Sequence, residues 1–146
     1  MRRLLTRLRD RRGVSALEFA VILPLLVIVF AGVFDLGNAL QQSIRLEAAA
    51  RAAAQYAFSN PQDREGIEDT VYRNLSSIPR DQLNVRVEQQ CLCAAGGEPT
   101  GCSETCTQPS LISIRVSRPF EFFSPVSEVV MPNLSQVRGN AEIRLY

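Results

Sequence analysis

Residues 14–34 read VSALEFAVILPLLVIVFAGVF, a run in which only Ser15 and Glu18 are polar. We call these residues the apolar segment. As an α-helix rising about 1.5 Å per residue, the segment would be close to the hydrocarbon thickness of a bilayer. Pro24 near its middle removes one backbone donor, which membrane helices tolerate better than soluble ones. The segment therefore predicts a transmembrane helix.

The residues before the apolar segment are strongly basic. Residues 1–13 carry six arginines and one aspartate, whereas residues 14–146 carry ten arginines and fourteen acidic residues. Because the excess of arginine precedes the segment, the positive-inside rule predicts a cytoplasmic N-terminus and a C-terminal part beyond the inner membrane. A secretory signal peptide is disfavoured because its apolar region is shorter. A buried core helix is disfavoured by the basic leader.

The composition excludes several chemistries. All sixteen basic residues are arginine, and the chain has no histidine. Ser-His-Asp catalysis, imidazole metal sites, Schiff-base chemistry and P-loop phosphate binding therefore lack their central residue. An acidic body without a basic stripe also argues against nucleic-acid binding. We therefore expect that the protein is not an enzyme and that it binds no cofactor, no metal and no small-molecule substrate.

A helical pattern continues beyond the apolar segment. Apolar or small residues recur every fourth position, and we predict one helix from Val14 to about Phe58. Its end is indicated by Ser59-Asn60-Pro61, with Pro61 suited to the first position of a new helix. The recurring face could pack on the chain's own C-terminal domain or on other subunits, and the two are compatible. Its members are Leu36, Leu40, Ile44, Ala48, Ala52 and Tyr56.

The remaining residues predict a small α+β domain. Residues 61–78 have the pattern of a short amphipathic helix. Three stretches then alternate between apolar and polar residues, which is typical of an antiparallel sheet with one buried face, here covered by the long helix. Residues 119–125 predict an edge strand or a packed loop. The helix would bury Ile67, Val71, Leu75 and Ile78, and the strands Val85, Val87, Ile112, Ile114, Val116, Ala141, Ile143 and Leu145.

These features predict four regions along the chain. We expect a basic leader at 1–13, a transmembrane helix at 14–35 and an extramembrane continuation of that helix at 36–59. An exported α+β domain at 60–146 follows, with a sheet of about three or four strands packed on this helical continuation, which we call the stalk. A cysteine-rich loop lies at 91–106 within it.

The four cysteines are Cys91, Cys93, Cys102 and Cys106. Their spacing lacks the C-x2-C pairs typical of zinc sites, and disulfides are favoured on the exported side of a membrane. We therefore expect two disulfides, for which three connectivities exist. Turn-forming residues at 94–99 favour a nested hairpin, with Cys91–Cys106 around Cys93–Cys102, and leave the other two pairings open.

The start of the apolar segment resembles a known processing site. Residues 11–19, RRGVSALEF, resemble the cleavage site of type IV pilins and pseudopilins, with Glu18 at the fifth position after Gly13. The longer pattern resembles TadE-like proteins, minor pseudopilins of tight-adherence (Tad/Flp) pili, and their TadF-like relatives. It includes Leu23-Pro24-Leu25 and Phe34-Asp35 and is dense over residues 11–50. Without this resemblance, Glu18 would be explained as a carboxylate at the cytoplasmic interface.

The resemblance implies a structural function in pilus assembly. A prepilin peptidase would cleave between Gly13 and Val14, and the new amine of Val14 would pair with Glu18 one helical turn away. The expected partners are that peptidase, other pilins and pseudopilins, the inner-membrane assembly platform and the lipid bilayer. The protein would be a single-pass inner-membrane protein with a periplasmic domain, in or at the base of a pilus.

Two alternatives follow from the same residues. The chain could be an uncleaved single-pass scaffold protein of an envelope secretion machine. It could also be an exported enzyme or inhibitor held together by disulfides. The mature N-terminus separates the three hypotheses: Val14 for a pseudopilin, Met1 for a scaffold, and a start near residue 32 for an exported protein.

Overall fold

The fold is α+β, as predicted. A computed structural model describes residues 12–93, 100–102 and 108–145. Its elements, in chain order, are helix α1 (Arg12–Ser59), helix α2 (Arg64–Asn74), a 3-10 turn (Arg80–Gln82), strands β1 (Asn84–Leu92), β2 (Thr100–Gly101) and β3 (Gln108–Pro119), helix α3 (Pro125–Val130) and strand β4 (Gln136–Arg144).

The strands form one antiparallel sheet in the order β2-β1-β3-β4. β3 is central, and its Ile114 lies opposite Val87 of β1 and Ala141 of β4. The predicted alternation is confirmed most clearly in β3, where Ile112, Ile114 and Val116 are fully buried. A register shift between Gln90 and Cys91 interrupts the pairing of β1 with β3.

Contacts divide the chain into two compact units. We call Met1–Gly37 with Phe122–Pro132 the helix unit, and Asn38–Glu121 with Asn133–Tyr146 the sheet unit. The first residues of α1 belong to the helix unit and its later residues to the sheet unit.

In the helix unit, α1 presents its apolar residues outward. The helix continues through Pro24 without a break. Residues 15–30 are all exposed, and the most apolar window of the helix has no buried residue. The helix is long and apolar enough to cross a membrane. This exposure fits lipid as the surrounding medium, because water would disfavour so much contiguous apolar surface.

In the sheet unit, α1 buries a face composed mainly of alanines. The predicted repeat is not this face, since Leu36, Leu40, Ile44 and Ala48 are exposed and Ala52 and Tyr56 only half-buried. The physical reason is that small side chains allow the helix to approach the sheet closely, while the larger residues are left outside. The buried residues are Ala39, Leu46, Ala49, Ala50, Ala53, Ala54 and Ala57.

The closest approach between α1 and the sheet is at Gly139 of β4. A Cβ atom at this position would collide with the backbone of Leu46 and Glu47. One turn earlier in the helix, the Ser43 hydroxyl donates a hydrogen bond to the carbonyl oxygen of Arg138, at 2.7 Å. The glycine therefore sets the distance between helix and strand.

Helix α2 is shorter than the predicted 61–78. Pro61 lies in a turn, so its expected place at the start of the helix is wrong, and Asp63 is the N-cap residue. The Asp63 carboxylate accepts hydrogen bonds from the Gly66 amide (2.9 Å) and the Tyr56 hydroxyl (2.6 Å). These bonds satisfy a free amide of the first turn, so the helix starts at Arg64.

The bond between Tyr56 and Asp63 shifts the titration of both groups. The Tyr56 hydroxyl, followed by the Gly66 amide, lowers the pKa of Asp63. The same bond to Asp63, with some desolvation, raises the pKa of Tyr56. The pair joins the end of α1 to the start of α2, which packs on β1 and buries Ile67, Val71 and Leu75 as predicted. Ile78 lies beyond the helix and is half-buried.

The aromatic stretch between β3 and β4 is a packed loop, one of the two predicted forms. Phe120 is buried, and its amide donates a hydrogen bond of 2.9 Å to the carbonyl oxygen of Ser135. Phe123, in contrast, is exposed. Helix α3, which follows, was not predicted.

Gly139→Val should destabilise the sheet unit, because the new side chain cannot be accommodated against the α1 backbone. We expect a loss of about 1–3 kcal/mol, typical of an overpacked core. Hydrogen exchange of the β3 and β4 amides in the detergent-solubilised full chain measures this loss. Asn140→Val is the control, since Asn140 is exposed in the same strand. Equal protection in both variants would contradict the close approach.

Candidate functional site

Asp35, the first residue after the apolar segment, is completely buried (0% exposed). Its carboxylate oxygens accept hydrogen bonds from the backbone amides of Phe123 (2.8 Å) and Ser124 (3.2 Å). Ser127 also hydrogen-bonds to this carboxylate through its side chain. We call Asp35, Phe123, Ser124 and Ser127 the Asp35 cluster. All four residues belong to the helix unit.

The local sequence explains why residues 123–127 meet this carboxylate. Pro125 is the first residue of α3, where its missing amide costs nothing and its fixed φ favours a helix. Chain turns just before such a helix leave amides without partners, and Asp35 accepts from two of them. At the two ends of α3, the Ser127 amide donates to the Ser124 carbonyl and the Met131 amide donates to the Ser127 carbonyl.

The Asp35 cluster stabilises the fold and has no arrangement of groups suited to catalysis. An ionised carboxylate removed from solvent requires donors, and here three donors surround it. The cluster connects the end of the apolar segment to α3. A second contact supports this connection, since the rings of Phe34 and Phe123 meet edge to face with centroids 5.7 Å apart. From the sequence, Asp35 was predicted only to be the last residue of the transmembrane helix, and its hydrogen bonds to residues 123, 124 and 127 were not predicted.

The predicted disulfide pairing is wrong. The structure joins Cys91 to Cys102, with Cα atoms 4.8 Å apart, instead of Cys91 to Cys106 and Cys93 to Cys102. In the hairpin Cys91 lies opposite Thr100, and Cys102 follows directly after the short strand β2, which brings it close to Cys91. Cys93 is also disulfide-bonded. Cys106 lies outside the described residues.

The residues of the predicted processing site lie at the start of α1. Gly13 and Val14 are helical, and Glu18 is exposed on the same helix. Val14 and Glu18 are four positions apart and so lie on one side of the helix. The proposed cleavage and the pairing of the Val14 amine with Glu18 remain predictions.

A stripe of apolar residues on α1 is left uncovered in the sheet unit. Leu40 and Ile44 are exposed, Ile44 to 66%, and Ala48 continues the stripe one turn later. We call these three residues the stalk stripe. It lies beside the buried alanine face, as the one-residue offset between Ala39 and Leu40 indicates. The stalk stripe can therefore contact another helix without disturbing the packing of the sheet.

The outer face of the sheet carries mixed charges. Arg86 and Arg115 lie opposite each other on β1 and β3, and Arg115 also reaches Glu88 at 3.7 Å. All of these side chains are exposed. Exposed ion pairs contribute little to stability, so this face is best explained as a water-facing surface. Among the described residues, no group of three His, Cys, Asp or Glu residues could hold a metal ion.

These features define a class of protein: a small α+β domain joined to an N-terminal helix that is long and apolar enough to cross a membrane. Residues 13–55 match the family model of TadE-like proteins, which confirms the resemblance drawn from the sequence. The match covers the apolar segment and the stalk stripe but none of the strands. No curated protein and no solved structure matches the chain.

Asp35→Ala should release residues 122–131 from the end of the apolar segment, because the amides of Phe123 and Ser124 lose their acceptor. We expect faster hydrogen exchange at these amides, measured by mass spectrometry on the full chain in detergent. Asp35→Asn keeps one carbonyl acceptor and should have a smaller effect. Glu128→Ala is the matched control, since Glu128 is an exposed carboxylate of the same segment. Unchanged exchange in Asp35→Ala would show that Asp35 does not hold residues 122–131 at the end of the apolar segment.

Proposed function

We propose that this chain is a minor pseudopilin of a Tad/Flp pilus, processed by a prepilin peptidase after Gly13. The observation that carries the proposal is the combination, on one helix, of the TadE-like match at residues 13–55 and an outward apolar surface. Residues 15–30 of this helix are exposed in the described part of the chain. It is suited to lipid before assembly and to other helices afterwards.

Cleavage gives Glu18 a specific role in this proposal. The amine created at Val14 and the Glu18 carboxylate lie one helical turn apart, about 6 Å along the axis. Two opposite charges at this spacing reduce the cost of holding a carboxylate in an apolar surrounding. The pair can form within one subunit or between neighbouring subunits. The leader at 1–13 carries the arginines that keep the N-terminus cytoplasmic until then.

The stalk stripe supplies the second contact of the proposed assembly. Leu40, Ile44 and Ala48 are one helical turn apart in succession and lie outside the apolar segment. Their apolar side chains are more stable against another pilin-like helix than in water. The expected partners are therefore other pilins or pseudopilins and the inner-membrane assembly platform. The chain's contribution is packing, with no catalytic step.

The alternative function is an uncleaved inner-membrane scaffold of an envelope secretion machine. It is favoured by the exposed position of Glu18, which as an interfacial carboxylate would need no processing. Both functions share the membrane-spanning helix and the exported domain. They differ in the N-terminus and in the need for Glu18.

The processing step predicts a mature protein that begins at Val14. Intact mass and N-terminal sequencing of the membrane-extracted protein, from cells with and without the peptidase, measure this directly. Gly13→Leu should block cleavage, because it places a bulky side chain at the cut bond. Glu18→Ala should be inserted into the membrane normally but impair pilus assembly. An intact Met1 in peptidase-containing cells would favour the scaffold.

The stalk stripe predicts a directional contact with neighbouring subunits. A photo-crosslinking amino acid at Ile44 should give adducts with pilin-like partners in assembling cells. The same group at Arg45 should give far fewer, because the next helical position points about 100° away. Arg45 is also exposed, so accessibility is matched. Equal yields at both positions would remove the stripe from the proposed interface.

A further inference from the structure

We propose that Phe123 and helix α3 lie in the membrane interface, as a second lipid contact beside the end of the apolar segment. This inference rests on the proposed membrane span and goes beyond the function proposed above. It assigns a partner, the lipid bilayer, to a segment almost ninety residues away from the span in sequence.

The first observation is that the segment is held at the end of the span. Asp35 accepts hydrogen bonds from the amides of Phe123 and Ser124, and its carboxylate is fully enclosed. Phe34, the last residue of the apolar segment, contacts the Phe123 ring. If Phe34 is at the edge of the hydrocarbon, Phe123 is at the same depth.

The second observation is that, apart from Glu128, the outward residues of the segment are apolar. Phe123 is 79% exposed, Val129 is 80% exposed and Val130 is also exposed. Residues 122–132 read FFSPVSEVVMP, with Glu128 as the single charge. The surface is continuous with the apolar segment through the contact of Phe34 with Phe123. This continuity favours lipid, since the neighbouring surface is itself suited to lipid.

The third observation is that four backbone amides of the segment and the Ser127 side chain have hydrogen-bond partners. The amides of Phe123 and Ser124 bond to Asp35, and the amides of Ser127 and Met131 bond to carbonyl oxygens of the same segment. Ser127 is buried and its side chain bonds to Asp35. Backbone groups can enter a poorly hydrated region only when they are paired in this way.

The chain provides a direct test because it contains no tryptophan. Phe123→Trp introduces a single reporter at the proposed contact. Phe30→Trp marks the apolar segment, and Phe58→Trp marks an exposed position of the sheet unit; these side chains are 69% and 66% exposed. Val129→Trp is a second reporter on α3, in case Phe123→Trp disturbs the ring contact. Each full-length variant is reconstituted at low protein density into phosphatidylcholine vesicles.

The reconstituted variants are compared by quenching from two sides. Bromine atoms on the upper acyl chain quench from the lipid, and iodide present on both sides of the vesicle quenches from water. We expect Phe123→Trp and Val129→Trp to emit at shorter wavelength and to lose most of their intensity with brominated lipid, like Phe30→Trp. Phe58→Trp should respond to iodide alone.

The outcomes distinguish this inference from the proposed span. If Phe30→Trp is quenched by bromine while Phe123→Trp and Val129→Trp respond only to iodide, the interfacial contact is overturned and the span stands. If Phe30→Trp is not quenched by bromine, the span and the contact both fail. If Phe123→Trp and Val129→Trp are shielded from iodide but not quenched by bromine, a protein surface covers both positions, and the lipid proposal is overturned.

Discussion

The structure depends on one constraint: a single helix has to serve different surroundings along its length. Over residues 15–30 α1 is exposed on all sides, which suits lipid. Over its later residues it buries an alanine face against the sheet and leaves larger side chains outside. Gly139 makes this possible, since β4 can reach the helix backbone only where no Cβ intervenes. Small residues on both sides bring the helix and the sheet together.

The change of surroundings is marked by Asp35. A carboxylate directly after an apolar run would ordinarily face water, but here it is enclosed by donors from residues 123, 124 and 127. The end of the apolar segment is thereby built from two distant parts of the chain. The polar group needed to finish the span also orders the loop that contacts it. The packing of the helix unit therefore does not rely on apolar contacts alone.

The strongly periodic parts of the structure could be predicted from the sequence. The apolar segment is long and uniform, and β3 alternates over several residues, so hydropathy alone predicts a helix and a strand with the correct buried side. Asp63 could have been identified as an N-cap, since it stands three residues before the amide that it accepts from. The apolar pattern of Ile67, Val71 and Leu75 continues to Ile78, beyond the C-cap residue Leu75, and therefore predicted a longer α2.

Other features depend on contacts that no local pattern contains. The buried face of α1 was missed because alanines contribute little hydropathy, while Leu40 and Ile44 dominate the pattern and remain outside. The role of Asp35 requires donors far away in sequence, and the pairing of Cys91 with Cys102 depends on the hairpin register. Gly13 and Glu18 were assigned to a predicted processing site through a family resemblance, and the match to residues 13–55 supports that resemblance.

The hydrogen bond between Phe120 and Ser135 has a consequence for how the chain can vary. It joins the two ends of residues 121–134, so that stretch leaves the sheet and returns to it at one point. The pairing of Pro119 with Gln136 begins directly behind this closure. Insertions or deletions between the two ends can therefore be absorbed without shifting β3 against β4. Changes outside residues 123–127 would also leave the Asp35 cluster intact, so the two ends of the stretch tolerate variation better than its middle.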